Sequence, residues 1–537
     1  MTTATTTPAA IRPTLGRIMR STALVMTLAM TSKAISLVQT FLIARQFGVS
    51  ADYDTFVTAN TIPEQIFNLI AGGALAYAFI PIFGGLLAQD KREQAWKLAS
   101  NILNSVFLVA LVLSSVVFLT APQLIGSLAP NMTPELQLQS AQLMRILLLS
   151  LLLFSLSGLC VGILQSHQHF LLPALAPVLF DVGLLIGIVF LAKPFGVYGL
   201  AYGSVLGALM HLGIQIPGLM MYKMRWRPYV NPTDPDFLTV IKLMIPRAIG
   251  LALFNLNMVF AVRLATDLGE GAVSAFNWGW RLMQFPETLI GTAMGIVIFP
   301  TLAALSAAGD RDGKRDAMSG ALRFVLFAAI PAAFLLVAAG RPALRLLEGG
   351  AMEASAADII YGVLIWFAPG VIVHSMVEIV ARSFYADRDT VTPLFVALVS
   401  AAINLPLAYF LSKNTSLGVA GLSLANTAAV GTELVILLII LRRRWQGLND
   451  ASLITTFVKA LIAGGAAALA VTLVNLVVSR LSGSGKVGQI IQVAILSSVG
   501  IGTFVAVALA LKMEEMRLVL DTLRARLGRK GKVARSG

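Results

Sequence analysis

Uninterrupted apolar blocks recur from one end of this chain to the other. Residues 102–120 and 146–164 are examples, each close to the roughly 20 residues that a helix needs to cross a bilayer. Hydrocarbon offers no water to an unpaired N–H or C=O, so each segment must satisfy its backbone internally, and a helix is the result. The alternating ten-residue strands of an outer-membrane barrel are absent. Composition agrees. The 537 residues are 57% hydrophobic and only 12% charged, about half the charge of a soluble domain, with a mean hydropathy of +0.83. The expected fold is an all-α polytopic membrane protein of about fourteen spans, the first at 21–47 and the last at 487–511. Pro63, Gly72-Gly73, Pro246 and Pro286 fall inside spans and predict bent or broken helices, which membranes tolerate where neighbours satisfy the freed groups.

The formal charge is +14. In a soluble chain this would suggest nucleic acid. Here the bases sit at span ends, so nucleic acid is set aside and the charge is read as topology. With a cytoplasmic N-terminus, the inner loops hold Lys91-Arg92, Lys223, Arg225, Arg227, Arg311, Lys314, Arg315, Arg388 and Arg442-Arg443-Arg444, and the outer loops hold far fewer. Both termini are therefore expected in the cytoplasm, with the chain in a bacterial inner membrane. One cysteine, Cys160, lies in an apolar run and excludes a disulfide framework. No cleavable signal peptide is evident, because the first apolar run is long enough to remain as a helix.

The chain also repeats itself. GGALAYAFIPIF from Gly72 returns as GTAMGIVIFPTL from Gly291. QSHQHFLLP, ending at Pro173, returns as YADRDTVTP, ending at Pro393. GVYGLAYGSVLGALMH from Gly196 returns as GVAGLSLANTAAVGTE from Gly418. The offset is about 220 residues each time, in the same order, and six spans separate equivalent points, so the repeats are parallel. This predicts an N-terminal lobe over 1–230 and a C-terminal lobe over 231–450. Two extra spans over 451–512 and a basic tail over 513–537 follow. Residues 513–528 could form an amphipathic helix on an anionic leaflet. Two similar lobes that rock about a shared site are the architecture of alternating access.

Charge in hydrocarbon costs a few kcal/mol and usually faces a bundle interior. The candidates are Lys33, Glu64, Asp181, Arg247, Arg263, Arg281, Glu287, Glu378, Arg382 and Glu433, with His211 at the repeat position of Glu433. If Lys33, Arg247 and Arg281 face inward, they suit an anionic substrate, and arginine suits phosphate because its fork bonds two oxygens at once. Arg263, near a helix end, is read as snorkelling. Glu64, Asp181, Glu378 and Glu433 are either coupling sites for a cation (Na+ or H+) or charge partners for these bases. Asp387-Arg-Asp389 and His167-Gln-His169 imitate metal motifs, but both occupy tight turns at equivalent repeat positions and are read as polar turns. No metal site, bound cofactor, P-loop or nucleophile elbow is expected.

Residues 32–83 carry Ser32-Lys33, Ile43-Ala44-Arg45, Phe47-Gly48, Asp54, Ile62-Pro63, Gly73-Ala74 and Ala78-Phe79-Ile80-Pro81. Further on stand Arg281-Leu-Met-Gln-Phe-Pro286, Phe299-Pro300 and Phe384-Tyr-Ala-Asp387-Arg-Asp389-Thr-Val-Thr-Pro393. These stretches resemble the MurJ/MviN family, lipid II flippases of the multidrug/oligosaccharidyl-lipid/polysaccharide exporter superfamily. The resemblance implies a cationic central cavity for the pyrophosphate and headgroup of a polyprenyl-linked cell-wall precursor, and a groove lined by the last two spans for its lipid tail. The family's two arginines of span 1 fall at Lys33 and Gln39, and the acidic residue after the second falls at Thr40. Its Arg-Arg pair in span 2 falls at Phe67-Asn68, and its Glu-Gly at Gly72-Gly73. Lys33, Arg247, Arg281, Gln39 and Asn68 are therefore the expected substrate-binding positions. The expected function is flipping of lipid II or a similar lipid-linked anionic glycan by a monomer among membrane lipids, driven by a coupling cation or the membrane potential, beside other envelope-synthesis proteins. The alternatives are cation-coupled efflux of a soluble solute, as in the multidrug branch, and a non-transporting envelope scaffold.

Overall fold

The computed structural model describes residues 15–70, 74–481 and 485–521, and the side chains at 15–26, 29, 69–70, 74–77, 246–255 and 481 lie outside the described residues. The helices run as α1 Leu15–Phe47, α2 Ala51–Ile70, α3 Ala74–Ala88, α4 Arg92–Leu128, α5 Pro134–Ser166, α6 Leu171–Ile186, α7 Ala192–Phe195, α8 Tyr198–Gly213 and α9 Ile216–Met221. They continue as α10 Pro235–Thr266, α11 Ala272–Glu287, α12 Ala293–Ala307, α13 Arg311–Arg345, α14 Ala354–Ala386, α15 Val391–Lys413, α16 Val419–Trp445, α17 Asp450–Leu481 and α18 Lys486–Ala510. Single π-helical turns at Gly187–Leu191 and Thr288–Thr292 join α6 to α7 and α11 to α12. Among the described residues, eleven stretches are long and apolar enough to cross a bilayer. In addition, α1, the pair α2–α3 and α10 overlap the stretches 21–47, 54–83 and 238–266, where further spans are expected. The fold is all-α and polytopic.

The chain packs as two compact units. The first comprises Met1–Ile43, Ala59–Ile125 and Gln137–Ala252, and the second comprises Ala44–Thr58, Gly126–Leu136 and Leu253–Gly537. In the first unit, Phe79 and Phe83 of α3 stack on each other and are buried against Trp96 and Ile102 of α4, Ile163 of α5 and Val240 of α10. Beside this core, α6 and α8 meet backbone to backbone. A Cβ on Gly183 would lie 2.3 Å from the Cα of Gly207, and one on Gly187 would lie 2.5 Å from the Cα of Gly203. Small residues permit this approach, which membrane helices use because dispersion, not the hydrophobic effect, holds them together.

In the second unit, α13 packs on α14 and α17, α14 on α11 and α16, α15 on α16, and α17 on α18. Past the last span, residues 514–521 are helical. This segment is tied back by Arg323, which donates to Glu515 at 2.7 Å and Glu514 at 2.6 Å, while Thr456 donates to Glu515 at 2.9 Å. The rest of the expected surface helix, from 522 on, lies outside the described residues.

Positions related by the repeat adopt the same unusual backbone. Gly196 has φ 56° and ψ −136°, and Gly418 has φ 52° and ψ −127°. Gln168 and Arg388 both take positive φ (57° and 61°), as do Asp90 and Gly309 (56° and 70°). Left-handed residues end helices by supplying the last carbonyls with an amide. Thus the amide of His169 reaches the Leu164 carbonyl at 2.9 Å, and that of Asp389 reaches the Phe384 carbonyl at 2.8 Å.

Candidate functional site

In the first unit the candidate residues fall into a polar cluster on α1 and α6 and a polar stripe on α2, and in the second into several smaller groups. In the first unit, α1 faces α6 through Ser32 and Gln39, seven residues and so two turns apart on one face. The Ser32 hydroxyl donates to the Asp181 carboxylate. Gln39, which is buried, donates from Nε2 to the Asp181 carbonyl at 2.6 Å. Lys33 is exposed, and its charge acts on Asp181. The structure thus brings Lys33, Gln39 and Asp181 together. On α2, Asn60, Glu64 and Asn68 recur every fourth residue and form a polar stripe. Asn60 donates to Glu64 at 2.8 Å, Glu64 is exposed and Asn68 is half-buried. Arg247 belongs to α10, but its side chain lies outside the described residues.

Elsewhere in the first unit, His211 is held in a buried network. Its Nδ1 lies 2.6 Å from the Ser157 hydroxyl, to which Gln215 also donates at 2.6 Å. His167 and His169 form no joint ligand pair. His167 uses Nδ1 on the Ile163 carbonyl at 2.9 Å and stacks on Trp96, while His169 directs Nδ1 to the Tyr222 hydroxyl at 3.3 Å. Burial lowers the pKa of His169.

In the second unit, Arg281 is exposed on α11 and has no carboxylate partner among the described residues. Pro286 lies five positions later. It lacks the N–H that the carbonyl of residue 282 would accept, and the helix relaxes through a π-helical turn at Thr288–Thr292. Glu378 is the ion-pair partner of Arg382, one turn along α14. Arg382 in turn lies across Gly295 of α12, where a Cβ would come within 2.5 Å of its Nε. Glu433 accepts a hydrogen bond from Ser400. Arg263 pairs with Asp267 at the end of α10, the place expected of a snorkelling residue.

Both carboxylates of the Asp387-Arg-Asp389 turn are engaged. Asp387 accepts from Lys314 at 2.6 Å and from Ser306 at 2.5 Å. Asp389 accepts from the amide of Thr392 at 2.9 Å and from Arg444 at 2.6 Å. Partial burial works to raise the Asp389 pKa, but the bonds from Thr392 and Arg444 outweigh it and hold it at about 2.

One group escaped the sequence reading as a site. Asp54, near the start of α2, is buried. Its carboxylate accepts from the amides of Gly271 and Ser274, each at 2.6 Å, and from the Ser274 hydroxyl. It caps α11 from another part of the chain, satisfying amides that the helix cannot pair itself. Around it, Trp278 donates to the Gly48 carbonyl at 3.1 Å and stacks on Tyr53, and the amide of Ala351 donates to the Arg45 carbonyl at 2.8 Å. A Cβ on Gly48 would lie 2.2 Å from the Ala351 carbonyl oxygen, so only glycine fits there. The signal in the sequence was negative. Gly269-Glu-Gly271 opens α11 without a capping side chain at its N-terminus.

With this geometry in hand, comparison with known proteins is specific. Residues 43–495 match the family model described as lipid II flippase MurJ. The lipid II flippase MurJ of Burkholderia cenocepacia is 30% identical over 441 residues, covering 78% of this chain and 83% of that protein. The probable lipid II flippase MurJ of Buchnera aphidicola subsp. Acyrthosiphon pisum is 26% identical over 392 residues, or 70% and 75% of the two chains. Among solved structures, a lipid II flippase MurJ in an inward closed conformation superposes with a TM-score of 0.76 at 21% identity, over 90% of this chain and 98% of that one. An inward-facing multidrug resistance transporter of the MATE family superposes with a TM-score of 0.66 at 14% identity, over 80% and 99%. At these identities the two structures speak for the fold.

Proposed function

The chain belongs to the MurJ lipid II flippase family, and from that premise we propose that it carries a polyprenyl-pyrophosphate-linked envelope precursor, lipid II or a similar intermediate, across the bacterial inner membrane by alternating access. The observation that carries this reading beyond family membership is Arg281, an exposed guanidinium in an apolar span with no carboxylate partner among the described residues. A charge kept in a membrane helix without a protein counter-ion is costly unless a ligand or water meets it, and a guanidinium fork matches two pyrophosphate oxygens.

In this mechanism Arg281 binds the diphosphate, and Lys33 and Arg247 are the further bases proposed for the substrate. Asn68, standing where the family has an arginine, supplies a hydrogen bond instead of charge, while Gln39, buried on the Asp181 carbonyl, joins α1 to α6. Asp181, held by Ser32 and Gln39 beside Lys33, is the favoured place for a coupling cation, with Glu64 and Glu433 as further candidates. Glu378 serves as the partner of Arg382. Both termini are cytoplasmic in this reading, as the Lys and Arg distribution predicts. The lipid tail follows α17 and α18. No step makes or breaks a covalent bond, and the transporter acts as a monomer.

The deciding experiment is complementation of a bacterium depleted of its own lipid II flippase. Rescue by this chain that is lost in Arg281→Glu, with both proteins inserted in the membrane, is the expected result. No rescue by a well-inserted wild-type chain would move the substrate to a different lipid-linked glycan or to a solute.

A further inference from the structure

A cavity of about 330 Å³ lies between α13, α14 and α17 in the second unit, remote in sequence from Lys33 and Arg281. Its walls are one face of each long helix. From α13 come Phe334, Val337, Ala338, Arg341 and Arg345, and from α17 come Ala468, Thr472 and Asn475. Both sets follow the three-and-four spacing of a helix stripe. The floor is where the two helices touch. At Gly464 a Cβ would lie 2.8 Å from the Phe334 ring and 3.3 Å from the Pro331 Cα.

The lining changes character along the helix. Arg345 and Phe334 are eleven residues apart, a rise of about 16 Å, which is about half the thickness of a bilayer's hydrocarbon core. The end by Arg345 and Asn475 is polar, and the end by Phe334 and Ala468 is apolar. The charge at the polar end is specific. Arg341 is taken by Glu348 at 2.6 Å and Asp358 at 2.5 Å. Lys486 is spent on main-chain carbonyls, those of Arg345 at 3.2 Å and Leu346 at 3.3 Å. Arg345 is exposed and has no carboxylate partner among the described residues. Of these three cations, Arg345 is the one left for a ligand.

The lining also includes Tyr361 of α14 and Thr472, whose hydroxyls donate to the Val337 and Ala468 carbonyls at 2.8 and 2.9 Å, and two further groups are open to a ligand. Asn475 accepts from Gln492 at 2.7 Å through Oδ1, so its amide hydrogens remain as donors. Pro342 has no N–H, which deprives the Ala338 carbonyl of its usual partner and leaves an acceptor.

We propose that this cavity binds an anionic phospholipid, with the phosphodiester on Arg345, a headgroup hydroxyl on the Ala338 carbonyl, and the first part of an acyl chain against Val337, Ala468 and Phe334. A free anion would use the arginine but gain nothing from the apolar half. A zwitterionic lipid would bring its own cation to a site whose open group is already a cation, Arg345.

The test is thermal unfolding of the full-length, delipidated protein in detergent. It is titrated with phosphatidylglycerol, phosphatidylcholine or inorganic phosphate, and phosphatidylglycerol retention is read in parallel by native mass spectrometry. Phosphatidylglycerol raises the unfolding temperature of the wild type, and phosphatidylcholine at the same concentrations does not. Arg345→Gln, which removes one surface charge, needs about fivefold more phosphatidylglycerol for the same shift. Ala468→Trp, which fills the apolar half, abolishes the shift and the retained adduct. A response equal to wild type in Arg345→Gln overturns the proposal even if the tryptophan variant does not fold. A shift produced by inorganic phosphate alone identifies a free-anion site and also overturns it.

Discussion

Asp54 accepts hydrogen bonds from both the amide and the hydroxyl of Ser274, 220 residues further along the chain. A carboxylate at a helix N-terminus pairs with free amides and with the positive end of the helix dipole. Asp54→Asn keeps the size but replaces one acceptor with a donor that faces an amide. It is expected to destabilise the protein by about 1–2 kcal/mol, read as a lower unfolding temperature in detergent, and a Ser274→Ala change should add little to it. Unfolding at the wild-type temperature would show that the cap contributes nothing.

The two bases proposed for the substrate, Arg281 and Lys33, should differ in what they tolerate. Arg281→Lys keeps the charge but loses the fork, and should cost more transport than Lys33→Arg, because a bidentate contact is lost in one and gained in the other. Arg281→Glu should abolish rescue of a flippase-depleted strain. Growth curves with membrane-fraction immunoblots check all three, and equal rescue by every variant would remove the phosphate-binding role of Arg281.

Asp389 predicts an acid-sensitive contact. Its carboxyl is held at about 2, below the ordinary value of 3.8, through Thr392 and Arg444 despite partial burial. A depressed folded-state pKa contributes stability that is present above the unfolded value and is lost as pH falls through the folded value. The stability of the wild type should therefore decline between about pH 4 and pH 2, and Asp389→Asn should be less stable at neutral pH and lack that part of the decline. Parallel curves for the two proteins across this window would contradict the assignment.

Gly183 meets Gly207 where α6 packs on α8. Gly183→Leu must push the helices apart, because the obstacle is backbone and cannot rotate away. Overpacking of this kind costs about 1–3 kcal/mol, and the expected readout is reduced membrane accumulation with a lower unfolding temperature. Gly84, which has open space around its Cβ position, provides the control, and Gly84→Ala should behave as wild type.

How far the primary structure reached can be judged residue by residue. The helical stretches followed from apolar length alone, since hydrocarbon leaves the backbone no other way to pair. The repeat pointed to Gly196 and Gly418, and to the turns at Gln168 and Arg388, which share their positive φ values because turn geometry is a local property. Both carboxylates of Asp387-Arg-Asp389 were read as a turn, and their partners Lys314 and Arg444 supply the reason.

The pairings of charged and polar groups were not legible in the same way. Spacing placed Glu378 and Arg382 one turn apart, but whether Asp181 meets Ser32 and Gln39, or Asp54 meets Ser274, depends on which helix faces which. The same holds for the cavity at Arg345, which exists because α17 touches α13 at Gly464 and leaves space above it. Hydropathy, span length, loop charge and turn conformation are set by neighbours in the chain, and the sequence by itself determined them. The partners of Asp54, Asp181 and Arg345 come from helices far apart in sequence, and only the tertiary structure decided them, because helix faces are matched by close packing, which no local pattern encodes.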